Sequence, residues 1–235
     1  MKSFSIIIPV LNEVDTINSL IARLKDLPGA ESGEVIVVDG SPEENTLKVI
    51  NDVHIYCLSS APGRARQMNA GAAAASGEIL IFLHADTWPP TEALELIDGV
   101  MAQPDPVGGA FDLGIRSNRL ILKLIAATAS LRSRLTRIPY GDQIIFIRRT
   151  IFYELGGFPD IPLMEDVALM QKIKKFGGRI HLIPKRVCTS PRRWEKEGVL
   201  RATLRNWILL AAYYQGVSPE KLERYYRSGK DIDAP

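Results

Sequence analysis

A histidine and an aspartate two residues apart follow an apolar segment of this sequence. The run Ile79–Leu83 has the length of a buried strand, and His84 and Asp86 come directly after it. Residues i and i+2 of an extended chain project to the same side, so both side chains can face one ligand. Asp86 offers the hard oxygen that Mg²⁺ or Mn²⁺ prefers, whereas the imidazole is a softer donor. The pattern predicts a divalent cation at Asp86 that bridges phosphates.

Other polar residues follow the apolar segments earlier in the chain. Asn12 and Glu13 come after the first segment and Asp39 after the second. Arg64 and Arg66 begin a helix of small residues, where backbone N–H groups and guanidinium forks suit phosphate oxygens. Each such residue alone is commonly a cap or turn residue. Because ligands of an open parallel sheet bind beyond the carboxyl ends of its strands, the set predicts one rim that binds a charged ligand.

Alternating strands and helices must position these residues, and the hydrophobic spacing predicts that alternation. The strands expected in the first half are Ser5–Val10, Glu34–Asp39, Val53–Leu58 and Ile79–Leu83, and the helices are Asp15–Lys25, Glu43–Ile50 and Gly63–Ala75, the last closed by Gly77. The second half adds helices at Thr91–Ala102 (capped by Thr91), Asn118–Leu135, Val167–Phe176, Gly198–Gln215 and Pro219–Arg227, and strands at Gly108–Ile115, Ile144–Ile147 and Ile180–Ile183. This order predicts an α/β fold: a mostly parallel central sheet with helices on both faces, a Rossmann-like nucleotide-binding half, and C-terminal helices.

Composition excludes several classes of protein. A net charge of +2, from 29 basic and 27 acidic side chains, is not that of a nucleic-acid binder. We find no secretory signal and no run of about 18 uncharged apolar residues, so we expect a cytoplasmic protein.

Cys57 and Cys188 are expected to be buried, reduced thiols. Leu120–Leu135 and Trp207–Tyr214 combine apolar and basic residues; core helices are the favoured interpretation, while a peripheral membrane contact and a homodimer stay open.

At this polar rim the sequence resembles the family 2 glycosyltransferases, inverting enzymes of the GT-A fold that use nucleotide-sugar donors. The matching segments are SIIIPVLNE, VIVVDGS, GRARQMNAGAAAASGEILIFLHADT, GGF at 156–158, MEDVAL and, more loosely, RRW at 192–194. Each is weakly specific alone, and their shared order makes the resemblance strong. It implies one GT-A-like domain over residues 1–235, with a nucleotide-sugar-binding half (1–90), an acceptor and catalytic half (91–195) and a helical tail (196–235).

The resemblance also implies donor-binding roles. The matching positions are Pro9, Leu11, Asn12, Glu13 and Asp39 around the base and ribose, Arg64, Arg66 and Asn69 along the nucleotide and its phosphates, and His84, Ala85 and Asp86 in place of the Asp-x-Asp signature. The last Asp of that signature binds the metal, so Asp86 would bind Mn²⁺ or Mg²⁺. His84 replaces the first Asp and removes a negative charge. Unit charges about 4 Å apart near a surface interact by about 4 kcal/mol, so we expect a weakened but retained divalent-ion requirement.

Catalysis is implied at Glu165 and Asp166, which match the family's Glu-Asp motif. The Asp of that motif acts as general base, so Asp166 would take the proton of the acceptor hydroxyl as it attacks the anomeric carbon opposite the diphosphate. Glu165 is the substitute for that role. The position of Asp166 at a predicted helix start fits a simple N-cap as well.

The residues that bind the acceptor are less clearly indicated by the sequence than those that bind the donor. The residues expected to bind the acceptor are Tyr140, Asp142, Gln143, Arg193 and Trp194. Residues 140–143 fit a turn equally well, and residues 192–194 fit a solvated basic loop. The Arg-Trp pair is similar to that of processive family members, although Ser190 stands where these have Gln. Lids and membrane helices of some relatives are missing from the sequence, which favours a small or lipid-linked acceptor.

Three alternatives differ in class. A nucleotide-sugar-binding domain without catalysis would result if His84 abolished activity. A sugar-phosphate nucleotidyltransferase would need a glycine-rich basic loop after the first strand, where the sequence has LNEVDT. A dehydrogenase would need Gly-x-Gly-x-x-Gly at the same place. The transferase hypothesis accounts for Asp86, Glu165 and Asp166 together.

Overall fold

The elements follow the predicted alternation along most of the chain. A computed structural model describes residues 3–231, with side chains up to residue 226; residues 1–2 and 232–235 of the expected domain lie outside it. The strands are β1 (Phe4–Val10), β2 (Gly33–Asp39), β3 (Ile55–Ser59), β4 (Ile79–Phe82), β5 (Thr87–Trp88), β6 (Pro106–Asp112), β7 (Ile145–Arg148), β8 (Arg179–Arg186) and β9 (Cys188–Thr189). The helices are α1 (Ile17–Lys25), α2 (Arg64–Ala74), α3 (Ala93–Met101), α4 (Leu120–Thr136), α5 (Arg149–Glu154), α6 (Glu165–Lys175), α7 (Arg192–Glu197), α8 (Val199–Tyr214) and α9 (Pro219–Asp231).

One seven-stranded sheet runs through the molecule in the order β3-β2-β1-β4-β7-β6-β8. β1 pairs in parallel with β2 and β4, β2 pairs in parallel with β3, and β6 with β8. β7 is antiparallel to both of its neighbours. The mostly parallel sheet with flanking helices confirms the predicted α/β fold. Because β2 lies on one side of β1 and β4 on the other, a topological switch point lies between β1 and β4, where ligands bind.

Both faces of the sheet are covered, which explains the continuous apolar strands. In β1, Ile6 and Ile8 pack into one core with α1 and α3, whereas Ile7 points to the other face, beneath α2. Phe82 of β4 is 1% exposed, and its ring centroid lies 5.2 Å from that of Phe152 and 4.8 Å from that of Phe158. The central strands are therefore fixed from two sides, and their carboxyl ends are held at defined positions.

A two-stranded ribbon that the sequence did not predict follows the end of β4. β5 pairs antiparallel with β9, and the hydroxyl of Thr87 lies 3.2 Å from that of Thr189. The Ser190 N–H also donates to the Asp86 carbonyl at 3.0 Å. The ribbon thereby ties Asp86 to the segment that leads into α7.

Several local predictions were wrong. Residues 43–50 form no α-helix but only a single 3₁₀ turn at Leu47–Val49. Thr91 does not cap α3, which begins after Glu92. Gly77 does not cap α2; a Cβ there would lie 2.4 Å from the Phe4 carbonyl carbon, so glycine allows close approach to β1.

The two cysteines and the start of α6 also differ from the prediction. Cys57 and Cys188 are free but exposed rather than buried, because both lie at sheet margins. The helix expected at Val167 begins at Glu165, so Glu165 and Asp166 belong to its first turn.

Within residues 3–231, no helix has both the length and the apolar character needed to cross a membrane.

Candidate functional site

A cleft of about 820 Å³ opens at the carboxyl ends of β1 and β4. A smaller cavity of about 120 Å³ adjoins it. The two spaces share the lining residues Arg64, His84, Asp142, Leu163, Arg193 and Tyr226. The large cleft alone is lined by Pro9, Leu11, Glu13, Arg66, Ala85, Asp86 and Trp194, and the small cavity alone by Tyr140, Glu165 and Asp166. Asp86 and Asp166 therefore face two connected spaces, with the shared residues between them.

The exit of β1 contributes one wall of the large cleft. Leu11 is 54% exposed there, and the Glu13 carboxylate accepts hydrogen bonds from Arg192 Nη2 at 3.1 Å and from the Thr16 hydroxyl at 2.7 Å. Asn12 has a left-handed backbone and an exposed side chain near Asn45, and it does not line the cleft. Of the four predicted residues at the β1 exit, Pro9, Leu11 and Glu13 line the cleft and Asn12 is turned away.

Asp39 does not lie in the cleft, contrary to expectation. Its side chain is fully buried, and its two oxygens accept the N–H groups of Ser41 at 2.8 Å and Thr46 at 3.1 Å. The Thr46 hydroxyl in turn accepts the Glu13 N–H at 3.1 Å. Asp39 therefore shapes the loop that supports the β1 exit, and both of its carboxylate oxygens accept backbone N–H groups.

Two polar residues of α2 use their side-chain amides to bind the backbone of neighbouring segments. Asn69, predicted to meet the nucleotide, donates to the Phe158 carbonyl at 2.8 Å and accepts the Phe158 N–H at 3.0 Å. Gln67, which the sequence analysis missed, donates to the carbonyls of Val10 at 2.7 Å and Val38 at 2.8 Å. Both amides join α2 to its neighbours; Asn69 does not line the cleft, whereas Gln67 lines it with an amide nitrogen that already donates to backbone.

The two arginines of α2 differ in their partners. Arg66 donates to both oxygens of Asp160, at 2.8 and 3.0 Å, in an exposed pair that closes one side of the cleft. For Arg64, desolvation favours loss of the proton, but attraction from Glu165 and other acidic groups is larger and raises its pKa. Arg64 therefore stays charged between the two spaces, where it suits a phosphate.

His84, Gly141 and Asp166 meet at the boundary of the two spaces. The Gly141 N–H donates to Asp166 Oδ2 at 2.7 Å, and a Cβ on Gly141 would lie 2.8 Å from His84 Nε2. A larger residue at position 141 would clash with His84, so glycine allows the segments that carry His84, Gly141 and Asp166 to pack closely. Desolvation, with the charges of Arg64 and Arg193, lowers the pKa of His84 to about 3, so the imidazole is neutral at pH 7.

Gln143 supports the adjacent loop and does not reach the ligand space. It is 1% exposed; it donates to the Phe111 carbonyl at 2.8 Å and accepts the Ser133 hydroxyl at 2.7 Å. It also accepts the Tyr140 N–H at 3.1 Å. Gln143 therefore fixes the loop from below and does not line the small cavity, whereas Tyr140 does.

Three carboxyl groups surround the small cavity. Burial raises the pKa of Asp142 to about 6, against the opposing charge of Arg193, and its Oδ1 is buried without a hydrogen-bond partner among residues of the described range. Burial also raises the pKa of Glu165 to about 7, and repulsion by Asp166 acts in the same direction. Asp166 accepts the N–H groups of Gly141 and Val167, each at 2.7 Å. The cavity thus contains two carboxyl groups, Asp142 and Glu165, whose pKa values are raised toward neutrality.

The pKa of Glu165 predicts a pH-dependent stability. Its folded-state pKa of about 7 lies above the ordinary 4.5, so the folded protein binds the proton more tightly, and stability falls as pH rises from about 4.5 to about 7. Glu165→Gln removes this titration. The unfolding free energy of wild type minus that of the variant should fall by about 1–3 kcal/mol across this window. Urea unfolding of both proteins at several pH values measures it, and a difference that is constant or rises with pH would contradict it.

Asp86 fits a cation held mainly by a bound molecule. Its side chain is half-buried and lines the large cleft, and Thr87 Oγ1 lies 3.4 Å from its Oδ1. The side chains in the described part of the chain include no cluster of three or more His, Cys, Asp or Glu residues able to hold a metal. Because Mg²⁺ commonly takes one or two carboxylates plus substrate phosphates, a single Asp is a sufficient protein contribution.

The basic segment at 192–194 forms helix α7 and not a solvated loop. Arg193 lines both spaces, and Arg192 Nη2 lies 3.1 Å from a carboxylate oxygen of Glu13. Trp194 is only 7% exposed and belongs to the hydrophobic core, with a buried Nε1 that has no hydrogen-bond partner within the described residues. Little of the Trp194 ring is available for stacking on a sugar, because the core already covers it.

Residues from the C-terminal helices complete the site, and the sequence patterns did not predict them. Asn206 and Leu209 of α8 line the small cavity, Glu223 of α9 lines the large cleft, and Tyr226 lines both. The only signal was a lone Asn within the apolar part of α8 and a Tyr-Tyr pair in α9. The predicted helical tail thus closes the site from one side.

Comparisons with known proteins identify the family of the chain and proteins of similar fold. The family described as Glycosyl transferase family 2 matches residues 5–158. Glucosyl-3-phosphoglycerate synthase of Mycolicibacterium smegmatis is 26% identical in an alignment of 169 positions, and the match covers 60% of this chain and 55% of that protein. The mannosyltransferase PcManGT of Pyrobaculum calidifontis, solved with GDP-Man and Mn²⁺, has a TM-score of 0.63 and 21% identity, covering 92% of this chain and 66% of its own. TarS 1-349 of S. aureus, solved with UDP-GlcNAc, has a TM-score of 0.63 and 19% identity, covering 81% and 58%. The chain spans about half the length of the curated relative.

Proposed function

This chain belongs to glycosyl transferase family 2, and from that premise we propose that it transfers a sugar from a nucleotide-diphosphate donor to an acceptor hydroxyl, with inversion at the anomeric carbon. The observation that carries the proposal is the connection between a large cleft at the ends of β1 and β4 and a small cavity that contains Glu165 and Asp166. The donor occupies the first and the acceptor hydroxyl enters through the second.

The charges of the large cleft support a nucleotide-diphosphate donor. Arg64, Arg66 and Arg193 line it, and Arg64 and Arg193 stand where it meets the small cavity. Guanidinium groups bind phosphate oxygens with charge-assisted hydrogen bonds. Proteins of similar fold were solved with GDP-Man and with UDP-GlcNAc, so donors of this class fit the architecture. The sugar of the donor would then lie near His84 and Asp142.

Asp86 is the proposed ligand of a divalent cation, Mn²⁺ or Mg²⁺. When bound, such a cation neutralises the diphosphate and polarises its oxygens. The neutral imidazole of His84 does not compete for that charge, and it can hydrogen-bond the donor. The substitution of His for the usual Asp leaves one carboxylate at this position, which supports a weakened but retained ion requirement.

Asp166 is the proposed general base. A base must lie within hydrogen-bond reach of the proton that it takes, and Asp166 lines the small cavity with its carboxylate oriented by the Gly141 N–H. It accepts the acceptor's proton as the hydroxyl oxygen bonds to the anomeric carbon and the bond to the diphosphate breaks. Arg64 and Arg193 receive the negative charge of the leaving group. Glu165 is the second candidate.

The acceptor is proposed to be small or to be the head of a lipid-linked molecule. The cavity of about 120 Å³ admits only a small group next to Asp166. Tyr140, Asp142 and Arg193 offer it polar contacts. The guanidinium carbon of Arg132 lies 3.3 Å from the centre of the Tyr140 ring and holds that ring in place.

Donor binding tests the proposal without knowledge of the acceptor. A panel of nucleotide-diphosphate sugars, each with and without Mn²⁺, should contain a donor that raises the melting temperature, more strongly with the ion, because a ligand of the folded state stabilises it. Slow release of free sugar from that donor should accompany binding. Binding without any sugar release, even with trial acceptors, would favour a non-catalytic nucleotide-sugar-binding domain, and no stabilisation by any donor would contradict the proposal.

A further inference from the structure

Helix α8 exposes a row of large apolar side chains. Leu200 is 80% exposed, Leu204 is 62% exposed and Trp207 is 66% exposed. Their spacing of four and three residues places them on one side of the helix, and Ile208, at 58%, borders the same side. The opposite side contributes Asn206 and Leu209 to the small cavity. This row, Leu200, Leu204 and Trp207, is called the α8 stripe.

Helix α4 contacts α8 and carries a row of the same kind. Leu120 is 81% exposed, Leu124 is 59%, Leu131 is 57% and Leu135 is 77%. The spacing of four, seven and four residues again selects one side of a helix. Scattered exposed apolar residues are ordinary, but two rows on neighbouring helices are the mark of a docking surface.

The charges on these helices have one sign. Neither α4 nor α8 contains Asp or Glu, and Lys123 of α4 and Arg201 of α8 are exposed basic residues. The other basic residues of these helices contribute less, because Arg132 stacks on Tyr140, Arg134 pairs with Asp112 and Arg205 pairs with Glu197. Helices that lie in a membrane interface combine an apolar side of Leu and Trp with basic residues. Basic residues near an anionic bilayer each add attraction, and Trp favours the headgroup level.

We propose that the α8 stripe, with the α4 row beside it, binds the surface of a bilayer that contains anionic lipids. A second copy of this chain is the less suitable occupant. A two-fold dimer through this surface would set each basic helix against its equivalent, so like charges would meet. The helices have 17 and 16 residues, and they lie on the membrane rather than cross it.

The position of the stripe relative to the small cavity extends the inference. Leu204 and Trp207 flank Asn206 in the chain, and Asn206 lines that cavity. Because the stripe and Asn206 lie on opposite sides of α8, a bilayer bound at the stripe would be separated from the cavity by the width of one helix, about 10 Å. This extension rests on the proposed function and favours a lipid-linked acceptor over a small soluble one, whereas bilayer binding itself requires no catalysis.

Vesicle flotation of the full chain tests the inference. We expect the protein to float with vesicles of equimolar phosphatidylcholine and phosphatidylglycerol, to bind vesicles of phosphatidylcholine alone at least about tenfold more weakly, and to lose binding as salt rises. The double variant Leu204→Ser with Trp207→Ser should bind the anionic vesicles at least about tenfold more weakly. Lys123→Glu should weaken binding to the anionic vesicles only.

A matched control separates the stripe from general surface hydrophobicity. Val53 and Tyr56 are 90% and 53% exposed and lie outside both helices, so Val53→Ser with Tyr56→Ser should leave vesicle binding unchanged. Equal melting temperatures of the variants exclude unfolding as the cause. Absence of binding to either vesicle, equal loss in the control, or a dimer in solution that the stripe variant dissociates would overturn the inference. Because donor binding is not measured, failure here would leave the proposed transferase function untouched.

Discussion

Replacing Asp166 by Asn is expected to lower kcat by roughly 10²–10⁴-fold while donor affinity stays within about twofold of wild type. The amide keeps an oxygen for the Gly141 N–H, which donates to Asp166 Oδ2 at 2.7 Å, but it cannot take a proton from the acceptor. Donor affinity should persist because Asp166 lines the small cavity and not the large cleft. Steady-state kinetics with the donor found in the screen, combined with titration calorimetry, measures both quantities.

Two further variants make the Asp166 result specific. Asp26→Asn changes an exposed carboxylate at the end of α1 and should leave kcat unchanged. Glu165→Gln tests the second candidate for the base, and a smaller loss than that of Asp166→Asn is expected. Undiminished turnover in Asp166→Asn would remove the assignment, and a larger loss in Glu165→Gln would transfer the base role to Glu165.

Replacing Asp86 by Asn should lower kcat/KM by roughly 10²–10³-fold and should abolish the additional donor stabilisation that Mn²⁺ confers. Lewis-acid stabilisation by a cation is worth several kcal/mol, and about 1.4 kcal/mol corresponds to a tenfold change in rate. Asp86 is the carboxylate that the β5–β9 ribbon holds at the large cleft. Donor titrations with and without the ion, for wild type and variant, separate loss of the metal from loss of the nucleotide.

The control for Asp86 is a second Asp→Asn change away from the cleft. Asp105 lies on the surface in an exposed pair with Arg179, with 3.3 Å between Oδ2 and Nη1, and exposed pairs of this kind contribute at most about 1 kcal/mol. Asp105→Asn should leave the ion response intact. Should Asp86→Asn keep the full effect of Mn²⁺ on donor binding, the metal assignment would fail.

The central strands were predictable because both faces of the sheet are covered. The apolar runs at Ile6–Ile8 and Ile79–Phe82 need no periodicity to be recognised, and each must end where the chain leaves the core. The GT-A fold implied by the family resemblance is confirmed by the seven-stranded sheet and by the solved structures of similar fold. The antiparallel insertion of β7 was not predicted, since pairing partners distant in sequence leave no local pattern.

The orientation of individual polar residues was harder to predict than their location. Asp39 and Asn69 follow family motifs, yet each uses its hydrogen-bonding groups on backbone nearby. Short polar side chains at strand ends and helices commonly bind local backbone in this way, and a motif does not distinguish that use from ligand binding. Trp194 shows the same limit, because a helix in place of a loop turns its ring into the core.

The contribution of α8 and α9 to the site had no recognisable sequence signal. Asn206 and Tyr226 enter the cavity only because the C-terminal helices fold back over residues 160–166 and α2. That return depends on packing between distant elements. The division of the chain into a donor half and an acceptor half remains a prediction.

A crystal structure with the intact donor selected by the screen and Mn²⁺ tests the central claim most directly. The account predicts the nucleotide in the large cleft, the cation between the Asp86 carboxylate and the diphosphate, and the anomeric carbon turned toward the small cavity. Asp166 should then lie on the side opposite the diphosphate, where a hydroxyl about 3 Å from its carboxylate could attack. A donor bound with its diphosphate beside Asp166, or bound outside the cleft altogether, would contradict the account.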